Sequence, residues 1–331
     1  MNILDMHCDT ISLILENRRA GKKHCLRENT GHVDLVRMKK SGYILQNFAL
    51  FVDNGKCQNP WDEVLELYDC YMDEMLKNGD LISPVLCFDD IEKNISQDKM
   101  SSLLTVEEGA VCMGEIEKLN KLYDMGVRMM TLTWNYPNEI GFPNTDYSGK
   151  STIDPYTSDT INGLTEKGRE MVEQMDKLGM IVDVSHLSDA GFYDVLECSK
   201  KPFVASHSNA RSICRHVRNL TDDMLKKLGE RGGVAGLNFY PVFLTDVPDC
   251  TPNPGTLDAV VMHAKHIVKC AGIEAISLGS DFDGMDGHAH LTGAESMHLL
   301  YDGLGKAGFT QDQIDKVFYK NALRVYKDVL K

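Results

Sequence analysis

The sequence predicts a parallel α/β barrel of the (β/α)8 TIM type, with long loops after the fourth and seventh strands. Short apolar, β-branched segments alternate with helix-like stretches along the whole chain, and eight of them can be counted. Such alternation is the pattern of a parallel sheet, and eight repeats are the number that closes one into a barrel. The connections support it: those before strands are terse, as in Asp124-Met125-Gly126 and Lys177-Leu178-Gly179, whereas 135–158 and 241–255, after strands, are long and rich in turn residues. A barrel that works at one end carries its elaborate loops there, so these two are candidate lids.

The candidate strands are 2–6, 43–52, 102–107, 127–133, 180–185, 202–206, 233–239 and 275–280. Apolar spacings of three and four place helices at 164–178, 189–198, 210–228 and 257–270. The 331 residues are 43% apolar and 25% charged, an ordinary globular composition. Barrels run to 250 residues and more as one unit, so a single domain over 1–331 is expected. Lys and Arg number 35 against 49 Asp and Glu, a net charge of −14. That balance repels phosphate backbones and anionic membranes, so neither nucleic acid nor membrane is an expected partner. The ten cysteines are scattered without a CxxC, the N-terminus lacks a secretory pattern, and no apolar run reaches membrane length. A cytoplasmic protein is expected, with a homodimer, the commonest closed assembly, as the default oligomer.

Chemistry-bearing residues fall at the strand ends. The first strand runs into Asp5-Met6-His7-Cys8-Asp9, where residues two apart share a face, so His7 and Asp9 project together and Cys8 points away as a small buried hydrophobe. Later strands end in Val106-Glu107-Glu108-Gly109, Asp183-Val184-Ser185-His186, Ala205-Ser206-His207-Ser208 and Ser280-Asp281-Phe282-Asp283. Polar groups in such places are costly unless they have partners. Three histidines and several carboxylates on one rim supply ligands for two cations sharing a carboxylate, an arrangement suited to hydrolysis. Asp283 competes with Asp281 for the rim position. Other histidines read as ordinary: His288 and His290 as solvated loop residues, and His263 and His266 as residues on the partly exposed face of a helix.

In order and spacing these motifs resemble the membrane (renal) dipeptidases, dinuclear zinc enzymes of the amidohydrolase-like barrels. The likeness extends over Asp5 to Asp9, Gly31-His32-Val33-Asp34-Leu35, Glu108-Gly109, Leu132-Thr133, the stretches 179–188 and 206–219, Asn238-Phe239-Tyr240 and 279–284. It implies two Zn2+ ions per chain, one held by His7 and Asp9, the other by His186 and His207, with Glu108 bridging them. It also implies that Asp281 handles the proton and that Arg218 meets the substrate carboxylate; without it, Arg218 reads as a solvated helix residue. The family histidine after the fourth strand is replaced in Leu132-Thr133-Trp134-Asn135, so Trp134 and Asn135, with Tyr240, are expected on the substrate side. The activity so implied is zinc-dependent hydrolysis of small dipeptides, including those with a C-terminal D-residue. The alternatives are a zinc amide hydrolase acting on N-acyl amino acids, or a silent member that binds small ligands.

Overall fold

A computed structural model describes residues 1–148, 154–246, 256–287 and 290–331. Its strands are β1 (Ile3–Asp5), β2 (Tyr43–Phe51), β3 (Ile82–Pro84), β4 (Met100–Glu107), β5 (Val127–Thr131), β6 (Ile181–Asp183), β7 (Val204–Ala205), β8 (Val234–Leu237) and β9 (Ile276–Leu278). All the pairings between them are parallel, in the order β2-β1-β9-β8-β7-β6-β5-β4, and the β2–β4 pairing closes the ring. Eight strands thus form the barrel, with helices in the crossovers, as the alternation predicts. The short β3 was not anticipated. It adds to β4 at Met100 to Ser102, and Ile82-Ser83-Pro84 is too brief to show a period.

Strand parity divides the apolar residues into two sets. Leu4, Leu45, Leu103, Met129, Ile181 and Val204 fill the barrel's interior together with Val325 and Tyr326 of the C-terminal helix Asn321–Val329. The Tyr326 hydroxyl donates to Asn47 Oδ1 at 2.9 Å, so the helix plugs the base with the polar tip of that ring satisfied. The alternate residues, such as Leu104 and Val106 of β4, pack outward against the surrounding helices. Among the described residues no helix is long and apolar enough to cross a membrane, and the nine described cysteines are free.

One expected helix needs correction. The stretch 210–228 is helical only in Asp222–Glu230. Before it the chain folds into a compact loop closed by a bridge between Ala210 and Leu220. Arg211 fixes this loop with two bonds to the Asp189 carboxylate, at 2.7 and 2.8 Å, and with others to the carbonyls of Val217 and Asn219. Side chain to backbone bonds of this kind compete directly with a helical ladder. The loop positions Arg218 in the interior instead of on a solvated face.

Candidate metal centre and substrate cleft

Beyond β1 the chain continues extended, and His7 and Asp9 lie on one side, with His7 Nε2 3.2 Å from Asp9 Oδ2. Cys8 points away, donating its thiol to Asn47 O. From β4 the carboxylate of Glu107 enters between the histidines. Its Oε2 lies 3.3 Å from His7 Nε2, while Oε1 lies 3.0 Å from His186 Nε2 and 3.4 Å from His207 Nε2. The two latter imidazoles face each other across 3.1 Å. One carboxylate therefore divides five side chains into two groups, each of three metal-type residues: His7, Asp9 and Glu107, and Glu107, His186 and His207.

The sequence reading assigned this central place to Glu108, and the structure corrects it. Glu107 has the parity of Leu103, which faces the interior, whereas its neighbour must turn the other way. Glu108 leaves the strand at a φ of 104° and folds its carboxylate back onto the chain. There it accepts from Ala110 N at 2.9 Å, Trp134 N at 3.3 Å and Asn138 Nδ2 at 2.5 Å. Burial holds its pKa up at about 7 despite those donors. Glu108 braces the rim; it does not enter the cluster.

Each imidazole on the second side is oriented from behind. Asp183 accepts from Thr131 Oγ1 and from Ser206 Oγ, both at 2.6 Å, and from the backbone of Ser185 and Ser206. Because the Ser206 proton goes to Asp183, its oxygen is left to accept from His207 Nδ1 at 2.7 Å. That fixes the Nδ1–H tautomer and turns the Nε2 lone pair inward. His186 Nδ1 likewise donates to Asn135 Oδ1 at 3.0 Å. Asn135, expected on the substrate side, thus lines the cleft while acting chiefly as a support for His186. Tight packing underlies the arrangement: a Cβ on Gly236 or Gly279 would lie within 2 Å of Ser206 O, so only glycine lets β8 and β9 approach.

The electrostatics are those of a site built for cations. Burial pushes His186 down to about 3 and His207 well below its ordinary range, so both are neutral, as ligands must be. Against burial, the charges of Glu107 and Asp9 raise His7 well above its usual value: a proton is held where negative charge would welcome a metal. His7 Nδ1 and Asp9 Oδ1 are buried without a hydrogen-bond partner among the described residues. The donor set, all nitrogen and carboxylate oxygen, fits zinc or a similar borderline divalent ion.

The whole chain, residues 1–331, matches the model of the family described as membrane dipeptidase, peptidase family M19. The chain belongs to this family. A curated relative from Klebsiella pneumoniae, an uncharacterised protein in a pqqA 5′ region, is 35% identical over 72% of this chain and 86% of its own length. An uncharacterised dipeptidase of Schizosaccharomyces pombe is 32% identical over 90% of this chain and 72% of its own. A metallopeptidase of Rhodobacter sphaeroides, solved with a phosphinate mimic of the dipeptide L-Ala-D-Ala, superposes with a TM-score of 0.89 over 99% of each chain; at 24% identity this likeness shows the fold. Membership makes the protein a metallo-dipeptidase, a peptide hydrolase that works with metal ions.

In this protein the cluster opens into a cleft of about 330 Å³, lined among others by Trp134, Arg218, Tyr240 and Asp281. Asp281 Oδ1 is 3.9 Å from His7 Nε2, and its Oδ2 accepts from Asn238 Nδ2 at 2.9 Å. Burial raises its pKa. Asp283, its competitor in the sequence, is occupied elsewhere: it accepts from Thr10 Oγ1 and His32 N, at 2.7 and 2.6 Å. His32, which had no visible role, accepts in return from Asp283 N at 2.9 Å and stacks on Phe282. Trp134 packs edge-on against Phe51, 4.9 Å between centroids, as an apolar wall. Of the two candidate lids, 149–153 and 247–255 lie outside the described residues, as does His288. Asn138, early in the first loop, buttresses Glu108 and Leu132, so that this part of the loop is a support.

The least satisfied group in the cleft is Arg218. It is 4% exposed, yet Nε, Nη1 and Nη2 all lack a hydrogen-bond partner among the described residues. Burial lowers its pKa to about 10, which leaves it charged at neutral pH. Its guanidinium lies 5.3 Å from the Phe243 ring centroid.

Proposed function

We propose that the protein is a dinuclear zinc dipeptidase that takes small dipeptides by their free C-terminal carboxylate. Arg218 is the observation that carries this reading. A buried guanidinium with five idle donors is several kcal/mol uphill by order of magnitude, unless an anion completes it. A planar carboxylate is the complement a guanidinium fork fits best. A cleft near the small end of ligand pockets, which span about 300–1,000 Å³, has room for two residues and little more.

His7, Asp9 and Glu107 would hold one ion, and Glu107, His186 and His207 the other. When bound, the pair would polarise the scissile carbonyl and lower the pKa of water. The residues supply the rest. Arg218 anchors the carboxylate and sets the distance to the peptide bond. Asp281, kept able to protonate by burial and steadied by Asn238, takes a proton at its carboxylate and passes it to the leaving amine. Trp134 and Phe51 form a dry wall for the substrate side chain, in place of a proton-bearing imidazole. That the Rhodobacter neighbour is solved with a mimic of L-Ala-D-Ala supports including C-terminal D-residues in the substrate class.

The test is a panel of L,L- and L,D-dipeptides beside their C-terminal amides and N-acyl amino acids. Dipeptides should be cleaved, with the amides at least about 100-fold worse in kcat/KM, the scale of a lost charge-assisted contact. Cleavage of N-acyl amino acids alone, or indifference to amidation, would overturn the reading.

A further inference from the structure

Away from the mouth, the helix Asp222–Glu230, which follows β7, packs beside the helix Thr256–Ala271, which follows β8. Three side chains of metal-binding type meet there: Asp222, His266 and Cys270, whose ligand atoms all lie within 4.8 Å of one another. His266 and Cys270 are four apart, one turn on the same helix face. Asp222 opens its helix, after the cap made by Thr221 with Met224 N. Within the trio, His266 Nε2 is 2.7 Å from Asp222 Oδ1 and 3.3 Å from Cys270 Sγ.

Both contacts fall on the same ring nitrogen. The Nε2–H donates to the carboxylate, the nearer of the two, and the Cys270 thiol also hydrogen-bonds to Asp222, so all three side chains already converge through their protons. A cation between the three would take the place of those protons. Tetrahedral zinc-type bonds of about 2.0–2.3 Å place nitrogen and oxygen about 3.3 Å apart, and nitrogen and sulfur about 3.6 Å apart. The observed spacings reach those values with shifts of roughly half an ångström, within the freedom of an Asp222 side chain that is 50% exposed. Ser212 Oγ already donates to Asp222 Oδ1 at 2.8 Å and aims the carboxylate from outside. The neighbouring His263, also weighed in the sequence, is excluded from the site. It is buried, with Nδ1 accepting from Ala210 N and Nε2 donating to Leu244 O.

We propose that Asp222, His266 and Cys270 form a mononuclear site for a zinc-class transition metal, separate from the catalytic cluster, that clamps the two helices together. One thiolate, one imidazole and one carboxylate select a borderline ion over magnesium or calcium, with water in the fourth position. On binding, the Cys270 thiol releases its proton to solvent. Because the ion binds only where both helices are packed, occupancy stabilises the fold by mass action.

Cobalt(II) tests this on the intact protein, independently of the dipeptidase reading. Among the described residues the cluster at the mouth offers nitrogen and oxygen ligands only, so a thiolate-to-cobalt charge-transfer band in the near ultraviolet that depends on Cys270 reports its site. Titration should raise that band to one equivalent per chain. Cys270→Ser should abolish it and lower the zinc content of the purified protein by one per chain, while His266→Ala should weaken binding at least tenfold. Absence of the band once the mouth is saturated would show that Asp222 and His266 form only a plain ion pair. A band that survives in Cys270→Ser would assign it to another cysteine. Either result overturns the proposal.

Discussion

At the base of the barrel Leu4, Leu45, Leu103, Met129 and Ile181 interlock with the helix Asn321–Val329, and the one buried hydroxyl of that plug, on Tyr326, has its partner in Asn47. At the mouth the same strands run out into buried acids and imidazoles, an unpaired guanidinium and several strained residues. Glu108, His186, Asp281 and Asp283 all have left-handed backbones, with φ of 104°, 71°, 65° and 65°. Outside glycine such conformations cost of order 1–3 kcal/mol each and persist only where surrounding structure imposes them. The contrast teaches that the base supplies stability which the mouth consumes in holding charge and strain ready for ligands.

Glu107→Gln should break the mouth. It removes the carboxylate shared by both groups of ligands, so kcat/KM on a dipeptide should fall about a thousandfold, a loss on the scale of an oxyanion donor, and bound metal should fall with it. Glu108→Gln, one residue away, should retain the metal. At the base, Tyr326→Ala should cost about 3–5 kcal/mol in denaturant unfolding while the folded fraction keeps its kcat/KM, the converse pattern. Ser206→Ala lies between the two regions. Loss of the Asp183–Ser206–His207 chain should weaken metal binding about 10- to 100-fold, measured by competition with a chelator, with little loss of fold.

The smallest effect concerns pH. His263 is buried, and its pKa is pushed down to about 4 by that burial. A histidine depressed when folded binds its proton more readily when unfolded. Its contribution is therefore complete above the ordinary value of 6.5 and is lost as pH falls toward 4. His263→Gln should flatten the pH dependence of unfolding free energy by up to about 1.4 kcal/mol per pH unit in that window. An unchanged slope would remove His263 from the account.

Much of this was legible in the residue order. Eight apolar segments and asymmetric connections specified the barrel, and His7, Asp9, His186, His207 and Asp281 do meet at its mouth. Glu107 is legible too, since alternation from Leu103 through Thr105 places it inward, against the motif likeness that points to Glu108. Other features depend on contacts that no local pattern reports. Arg218 sits in a segment whose spacing imitates a helix, and only the distant Asp189, through Arg211, folds it into a loop. The Asn135 support for His186 and the Asp283–His32 exchange likewise join residues 51 and 251 positions apart.

A crystal structure of the zinc-loaded protein, with the ions located by anomalous scattering, tests the central claim most directly. Two peaks flanking the Glu107 carboxylate, one beside His7 and Asp9 and the other beside His186 and His207, are expected. A single peak at the mouth, or ions coordinated by Glu108 with Glu107 turned away, would contradict it.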